Sequence, residues 1–159
     1  MPLLTYEWEP LSILLDDGLA ELVRQHWEEV GVHKDEMPLD PDWDGYQRME
    51  DDGELRLLSG RIDGVLRGYH SVRVVKGHLH YKSTPHAMSD AIYVLREHRR
   101  SGLGLELIDK AERDILAEFA PRFVRIWYHD KAGLRLLGPV LQRRGYGLIE
   151  ECWDKIARV

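Results

Sequence analysis

Tyr93-Val94-Leu95-Arg96-Glu97-His98-Arg99-Arg100-Ser101-Gly102-Leu103-Gly104 is the stretch that decides how this chain folds. An apolar strand ends, a basic turn follows, and glycines open an amphipathic helix. The first turn of a helix has N–H groups without intrahelical partners and carries the positive end of the peptide dipole, so such a turn can converge on an anion. Arg99 and Arg100 add full charges where a phosphate would sit. The segment reads as a pyrophosphate grip.

The helix after the turn carries Leu103, Leu107, Ala111, Ile115 and Phe119 on one stripe, widened by Ile108 and Leu116. Glu106, Lys110, Arg113 and Asp114 take the opposite face, and Pro121 stops the helix. Upstream, Ala87 to Leu95 forms the strand that feeds the turn. Glu54 to Ile62 and Val65 to Val75 read as strands joined by Asp63-Gly64, a pair suited to a tight hairpin. Lys76-Gly77 either breaks the second strand or bends it, and in the second case His78 to Tyr81 continues it.

At the N-terminal end, Leu3 to Trp8 forms a strand. Asp16-Asp17 precedes a helical pattern with Leu19, Leu22, Val23, His26, Trp27 and Val30 on one stripe, the acids suiting its N-terminus and Gly31 its end. A short helix is expected around Asp42 to Asp51. Downstream, Phe123 to Tyr128 is β-rich, Ala132 to Arg143 is a helix interrupted at Gly138-Pro139, and Gly145 to Ile156 supplies one or two closing strands. The order predicts an α/β fold, one domain over residues 1–159 with a mixed central sheet flanked by helices.

The 159 residues suffice for one domain with a substantial core. A net charge of -6 disfavours broad binding to nucleic acid or membrane surfaces, so the basic residues act locally. Cys152 is the only cysteine, which leaves no internal disulfide or thiolate-rich zinc site and fits a reducing compartment. The N-terminal residues do not read as a signal peptide, and no apolar run approaches the ~20 residues of a membrane span. The expected location is the cytoplasm.

Arg99-x-x-Gly102-x-Gly104, after a strand and before a helix, resembles the acyl-CoA signature Gln/Arg-x-x-Gly-x-Gly/Ala of the GNAT acyltransferases. The order of elements is similar too, and Arg143-Arg144-Gly145-Tyr146 resembles the family's Gly-Phe/Tyr step. By length and by its His-Leu-His-Tyr and Leu-Gly-Pro segments, the chain resembles compact GNAT-like proteins from bacteriophage genomes. A dinucleotide fold would place a small residue where Leu107 stands, and a P-loop needs a Gly-Lys-Ser/Thr run that is absent. Taken alone, the glycine turn is also compatible with a plain strand-to-helix connection.

The resemblance implies acetyl-CoA as donor and direct transfer of its acetyl group to a primary amine of a small molecule or protein. It implies that backbone groups of Tyr93, Val94 and Leu95 bind the pantetheine arm. The N–H groups of Arg99, Arg100, Ser101, Gly102, Leu103 and Gly104 would cradle the pyrophosphate. Homodimers are common in the family. Where the family has its acid, a tyrosine, this chain has Leu141, and the asparagine expected near Lys131-Ala132-Gly133-Leu134 is missing. That departure leaves an alternative, a non-catalytic CoA-binding or interaction protein that keeps the fold.

Substitute catalytic candidates are Tyr128 and His129, beside Asp130, at the end of the strand next to the motif strand; Asp90 and Tyr93 come second. The competing reading is that Tyr128 packs and His129-Asp130 is a polar turn. His78, His80 and His86 lack an acidic or thiolate partner at zinc-site spacing, so no metal is expected. Trp8, Trp27, Trp43 and Tyr46, with nearby acids, match the region that shapes the family's acceptor pocket. Those acids suit either a cationic amine or a solvated loop.

Overall fold

A computed structural model describes residues 2–120, 124–129, 137–150, 152 and 154–155. Strands β1 (Leu4–Trp8), β2 (Leu55–Ile62), β3 (Val65–Val75), β4 (His86–Val94) and β5 (Arg125–Trp127) lie side by side in that order. The pairs β1–β2, β2–β3 and β3–β4 are antiparallel. Strand β5 runs parallel to β4 through only His86↔Arg125, Ala87↔Ile126 and Met88↔Trp127. Asp63 and Gly64 make the β2–β3 hairpin with φ of 49° and 80°, the geometry that the Asp-Gly pair favours.

Each face of the sheet is covered by helix. Helix α4 (Leu103–Phe119) packs Leu103, Leu107, Ala111, Ile115 and Phe119 against Leu58, Val72, Val74, Ala87 and Val94. The other face carries α1 (Leu11–Asp16), α2 (Leu19–Val30) and α3 (Trp43–Asp51), with Leu11, Leu14, Leu19 and Leu22 against Leu57, Leu66, Tyr69, Tyr93 and Leu95. The period-two alternation of β4 thus sends Tyr93 and Leu95 to one core and Val94 to the other. Helix α5 (Gly138–Arg143) starts with Pro139 in its first turn, where a missing N–H costs no helical bond. No helix among the described residues is long and apolar enough to cross a membrane.

The structure corrects several expectations. The expected helix runs from Leu19 to Val30 with Gly31 at its end, but the Asp16-Asp17 pair before it closes a separate short helix that the sequence pattern does not announce. Leu11 and Leu14 bury the short α1, Asp17 closes it and pairs with Arg61 at 2.5 Å, and Gly18 at φ 98° turns the chain into α2. His78 to Tyr81 does not extend β3; it forms a tight turn with one isolated bridge, and its rings stack on each other. Leu116 is 48% exposed, outside the α4 stripe. Among the described residues no strand follows β5, and residues 146–150 are irregular, so the expected closing strands are not seen there. The expected N-terminal part of the Ala132–Arg143 helix lies outside the described residues.

Candidate active site

Strand β4 loses its parallel neighbour after Met88, which leaves the edge from Ser89 to Val94 without a strand partner on that side among the described residues. The N–H of Leu95 donates to the Arg67 carbonyl at 2.9 Å. Antiparallel ladders alternate, so the backbone groups of Leu95 and Tyr93 turn towards β3, while those of Val94 and Ile92 turn towards the open edge. Of the expected backbone set Tyr93, Val94 and Leu95, the structure therefore presents only Val94 there. Ile92 joins it, a position that the motif alone did not indicate but that the strand's period of two supplies.

A single 3₁₀ turn, Arg96–His98, carries the chain from β4 to the glycines. Ser101 Oγ bonds the His98 carbonyl at 2.7 Å and accepts the Leu103 N–H at 3.2 Å, fixing the turn. Leu103, fully buried, anchors the start of α4. The N–H groups of Leu105 and Glu106 are taken by the Gly102 carbonyl. Those of Arg100, Gly102 and Gly104 find no acceptor among the described residues.

Both glycines of the turn face open space. Gly102 sits at φ 88°, a conformation that disfavours any side chain, and nothing lies within 4 Å of a Cβ added there. A Cβ on Gly104 would meet only Val94 Cγ2, at an ordinary 3.6 Å. Nothing in the protein's own packing requires a glycine at 104. A bare backbone concavity with unspent donors at the start of a 17-residue helix fits a pyrophosphate.

The Arg99 side chain is engaged elsewhere. Its guanidinium meets both carboxylate oxygens of Glu29 at 2.6 and 2.5 Å, and its Nε donates to the Val94 carbonyl at 3.0 Å. It also lies 5.5 Å from the centre of the Tyr93 ring. The charge expected on phosphate is thus spent on α2, while Arg100 remains exposed at the turn.

On the face carrying α1 to α3, a cavity of about 240 Å³ reaches β4 at Asp90 and Ala91. Its walls include His26, Trp27, Trp43, Tyr46 and Tyr69. Asp90 is the extra residue of a β-bulge, since Ser71 pairs with Ala91 and Val72 with Ser89. Ser71 Oγ donates to Asp90 Oδ2 at 3.1 Å. Burial first, then the Asp90 charge for Tyr46 and Tyr46 followed by Asp90 for Tyr69, raises the pKa of both phenols above the usual value and keeps them protonated. The Tyr69 hydroxyl lies 2.8 Å from His26 Nδ1, and the His26 ring stacks on Tyr93 at 4.8 Å. Asp90 is a second candidate in the sequence, but its Ser71 partner and the nearby His26 escape a motif-based reading, because only the bulge and the packing of α2 bring them to the cavity.

Tyr128 is half-buried just past the last β4–β5 pair, with its ring 5.6 Å from His70 and edge-on to Tyr146 at 5.4 Å. Burial, then Glu112 and Asp109, pushes its phenol above the ordinary range, so it stays protonated and can donate. Tyr146 itself donates to Glu112 at 2.5 Å. His129 is exposed and bonds no other described residue, and Asp130 lies outside the described residues, as do Lys131 to Leu134. Leu141 is buried and apolar, with no proton to offer.

His70 is fully buried between β3 and α4, with Nε2 3.0 Å from Ser89 Oγ, and burial lowers its pKa from 6.5 to about 4. His78 and His86 stack in near-parallel planes at 4.7 Å and 9°, which points their lone pairs sideways instead of at a common centre. No group of three or more His, Cys, Asp or Glu among the described residues is arranged to hold a metal ion.

A model of the Acetyltransferase (GNAT) family matches residues 18–137. No curated protein matches the chain in sequence. Among solved structures, a predicted acetyltransferase with acetyl-CoA from Clostridium acetobutylicum is similar at a TM-score of 0.72 and 12% identity, covering 98% of this chain and 96% of that one. A GCN5-related N-acetyltransferase from Ralstonia eutropha is similar at 0.71 and 19%, covering 96% and 98%. An aminoglycoside acetyltransferase from an uncultured soil metagenomic sample, in complex with trehalose, is similar at 0.69 and 15%, covering 98% and 95%. At these identities the likeness is one of fold.

Proposed function

The chain belongs to the GNAT acetyltransferase family and is an acetyl-CoA-dependent N-acetyltransferase, and from that premise we propose how its own residues divide the work. The observation that carries the proposal is the continuity of two features. The strand edge of β4, open at Ile92 and Val94, runs directly into the donor-lined turn at Arg100, Gly102 and Gly104. An extended arm ending in a pyrophosphate matches that sequence of groups. Acetyl-CoA supplies the acyl group, activated as a thioester.

The Val94 N–H and the Ile92 backbone groups hold the arm, and the turn's free N–H groups hold the phosphates. The acceptor is a primary amine, on a small molecule or a protein, that approaches from the cavity ending at Asp90. Its nitrogen forms the new bond to the acyl carbon as the carbon–sulfur bond breaks. Asp90 and water at the cavity mouth take the amine proton, and the Tyr128 hydroxyl, protonated in its buried setting, donates to the departing thiolate. His129, exposed beside it, is a second proton carrier to solvent. A single cysteine supports a cytoplasmic setting.

The test is thiol release from acetyl-CoA across a panel of primary amines, paired with calorimetric titration of CoA. Binding of CoA with amine-dependent release is expected. No CoA binding at millimolar concentration would refute the proposal.

A further inference from the structure

We propose that the acceptor is a compact primary monoamine with an apolar, ring-bearing body, seated in the cavity between α1–α3 and the sheet with its ammonium end at Asp90. This rests on the acetyltransferase reading above, which leaves the amine open. The cavity wall is built from Trp27, Trp43, Tyr46 and Tyr69 with aliphatic side chains of α1 and α2. Asp90 is the one carboxylate among its described lining residues, and no lysine or arginine lines it.

Charge and size both select. A single carboxylate can neutralise one ammonium, and tryptophan and tyrosine faces attract a cation and cover an apolar body. A polyamine or a poly-amino sugar would press further charges and hydroxyls against Leu11, Leu19 and Val23, where nothing pairs them. Pockets for drug-sized ligands run roughly 300–1,000 Å³. At about 240 Å³ this cavity lies below them and suits one ring with a short arm.

Direction follows from how Asp90 is held. Ser71 donates to Oδ2, leaving Oδ1 to meet an ammonium, and the bulge places Asp90 just beyond the last β4–β5 pair. His26 fixes the Tyr69 hydroxyl at 2.8 Å, so the aromatic wall is braced before any ligand arrives. The nitrogen end of the acceptor therefore sits at the open edge of β4, and the ring end lies between α2 and α3.

The probes are 2-phenylethylamine, its neutral analogue 2-phenylethanol, spermidine and kanamycin, each titrated into CoA-loaded protein by tryptophan fluorescence and assayed for thiol release with acetyl-CoA. 2-Phenylethylamine should bind at least tenfold more tightly than 2-phenylethanol and show at least tenfold higher kcat/KM than spermidine or kanamycin. Asp90→Asn should weaken its binding at least tenfold with CoA affinity unchanged, and Trp43→Ala should do the same. Preference for spermidine or kanamycin, or equal binding of the amine and the alcohol, overturns the inference, and the alcohol comparison needs no variant to fold. If CoA binds but 2-phenylethylamine does not, the acceptor assignment fails and the cofactor reading stands. If the amine quenches fluorescence in protein that binds no CoA, the cofactor reading fails and the pocket assignment stands.

Discussion

Arg99 and Glu29 form a two-pronged ion pair at 2.5 and 2.6 Å that ties the cofactor turn to the helix lining the acceptor cavity. The same guanidinium caps the Val94 carbonyl, so one side chain holds a helix, a strand end and a turn in register. Charge-assisted forked pairs are geometrically specific. Both side chains are partly buried, 31% and 23% exposed, so the pair is worth on the order of 1–2 kcal/mol.

Glu29→Gln and Arg99→Ala should therefore weaken CoA binding to a similar extent, several-fold, and lower the melting temperature together. Freeing Arg99 by removing Glu29 should not tighten CoA. Titration calorimetry on both variants and the double variant checks this; tighter binding by Glu29→Gln would mean that Arg99 reaches phosphate after all. The hydrogen bond from Arg99 holds the Glu29 carboxyl below its ordinary range. Its folded value is the lower one, so this contribution is present at neutral pH and lost as the solution is acidified through the carboxylate range.

Gly104→Ala separates stability from binding. The added methyl has room beside Val94, and alanine favours the helix by up to about 1 kcal/mol, so thermal stability should hold or rise. The methyl would also stand where the backbone must approach the phosphates, so CoA affinity should fall tenfold or more. Thermal melting with and without CoA reads both effects in one experiment.

Tyr128→Phe should lower kcat by tenfold or more with CoA affinity unchanged, since a general acid contributes roughly 10²–10⁴-fold. His129→Ala should have a smaller effect, given its exposure. Steady-state thiol release and CoA titration distinguish these outcomes, and an unchanged rate in Tyr128→Phe would remove it from the proton path.

His70 predicts a pH dependence of stability that arises in the core. Its folded value, about 4, lies below the usual 6.5, so the unfolded chain binds the proton first as pH falls. Stability from this residue is complete above about pH 6.5 and drains away towards pH 4, with about 2 kcal/mol lost between pH 7 and 5. Denaturant unfolding at those pH values, compared with His70→Asn, checks it. The variant should be less stable at pH 7 but flatter across the window.

Much of this architecture is local and so was legible in the residues. The four-residue recurrence from Leu103 to Phe119 sets α4, Asp63-Gly64 sets the hairpin, and Gly102 marks the start of a helix by its own conformational freedom. What was not legible depends on partners distant in sequence. Leu11 to Asp16 has too few residues for a helical period to show, and it is Arg61, reaching Asp17, that reveals the end of a helix there. Arg99 looks like a phosphate ligand until Glu29, from another helix, claims it. Asp90 gains its place only through the bulge opposite Ser71, and a bulge leaves no mark in hydrophobic alternation.

The interrupted ladder at β4 has a further consequence for the life of the protein in solution. An unpaired strand edge invites pairing with other chains, and the described part of this sheet leaves one from Ser89 to Ile92, the Val94 carbonyl being taken by Arg99. A ligand that binds only the folded state stabilises it by about 2.7 kcal/mol at a hundredfold excess over its Kd. On the proposed binding mode the acyl donor covers that edge, so light scattering on storage should be lower with CoA than without it.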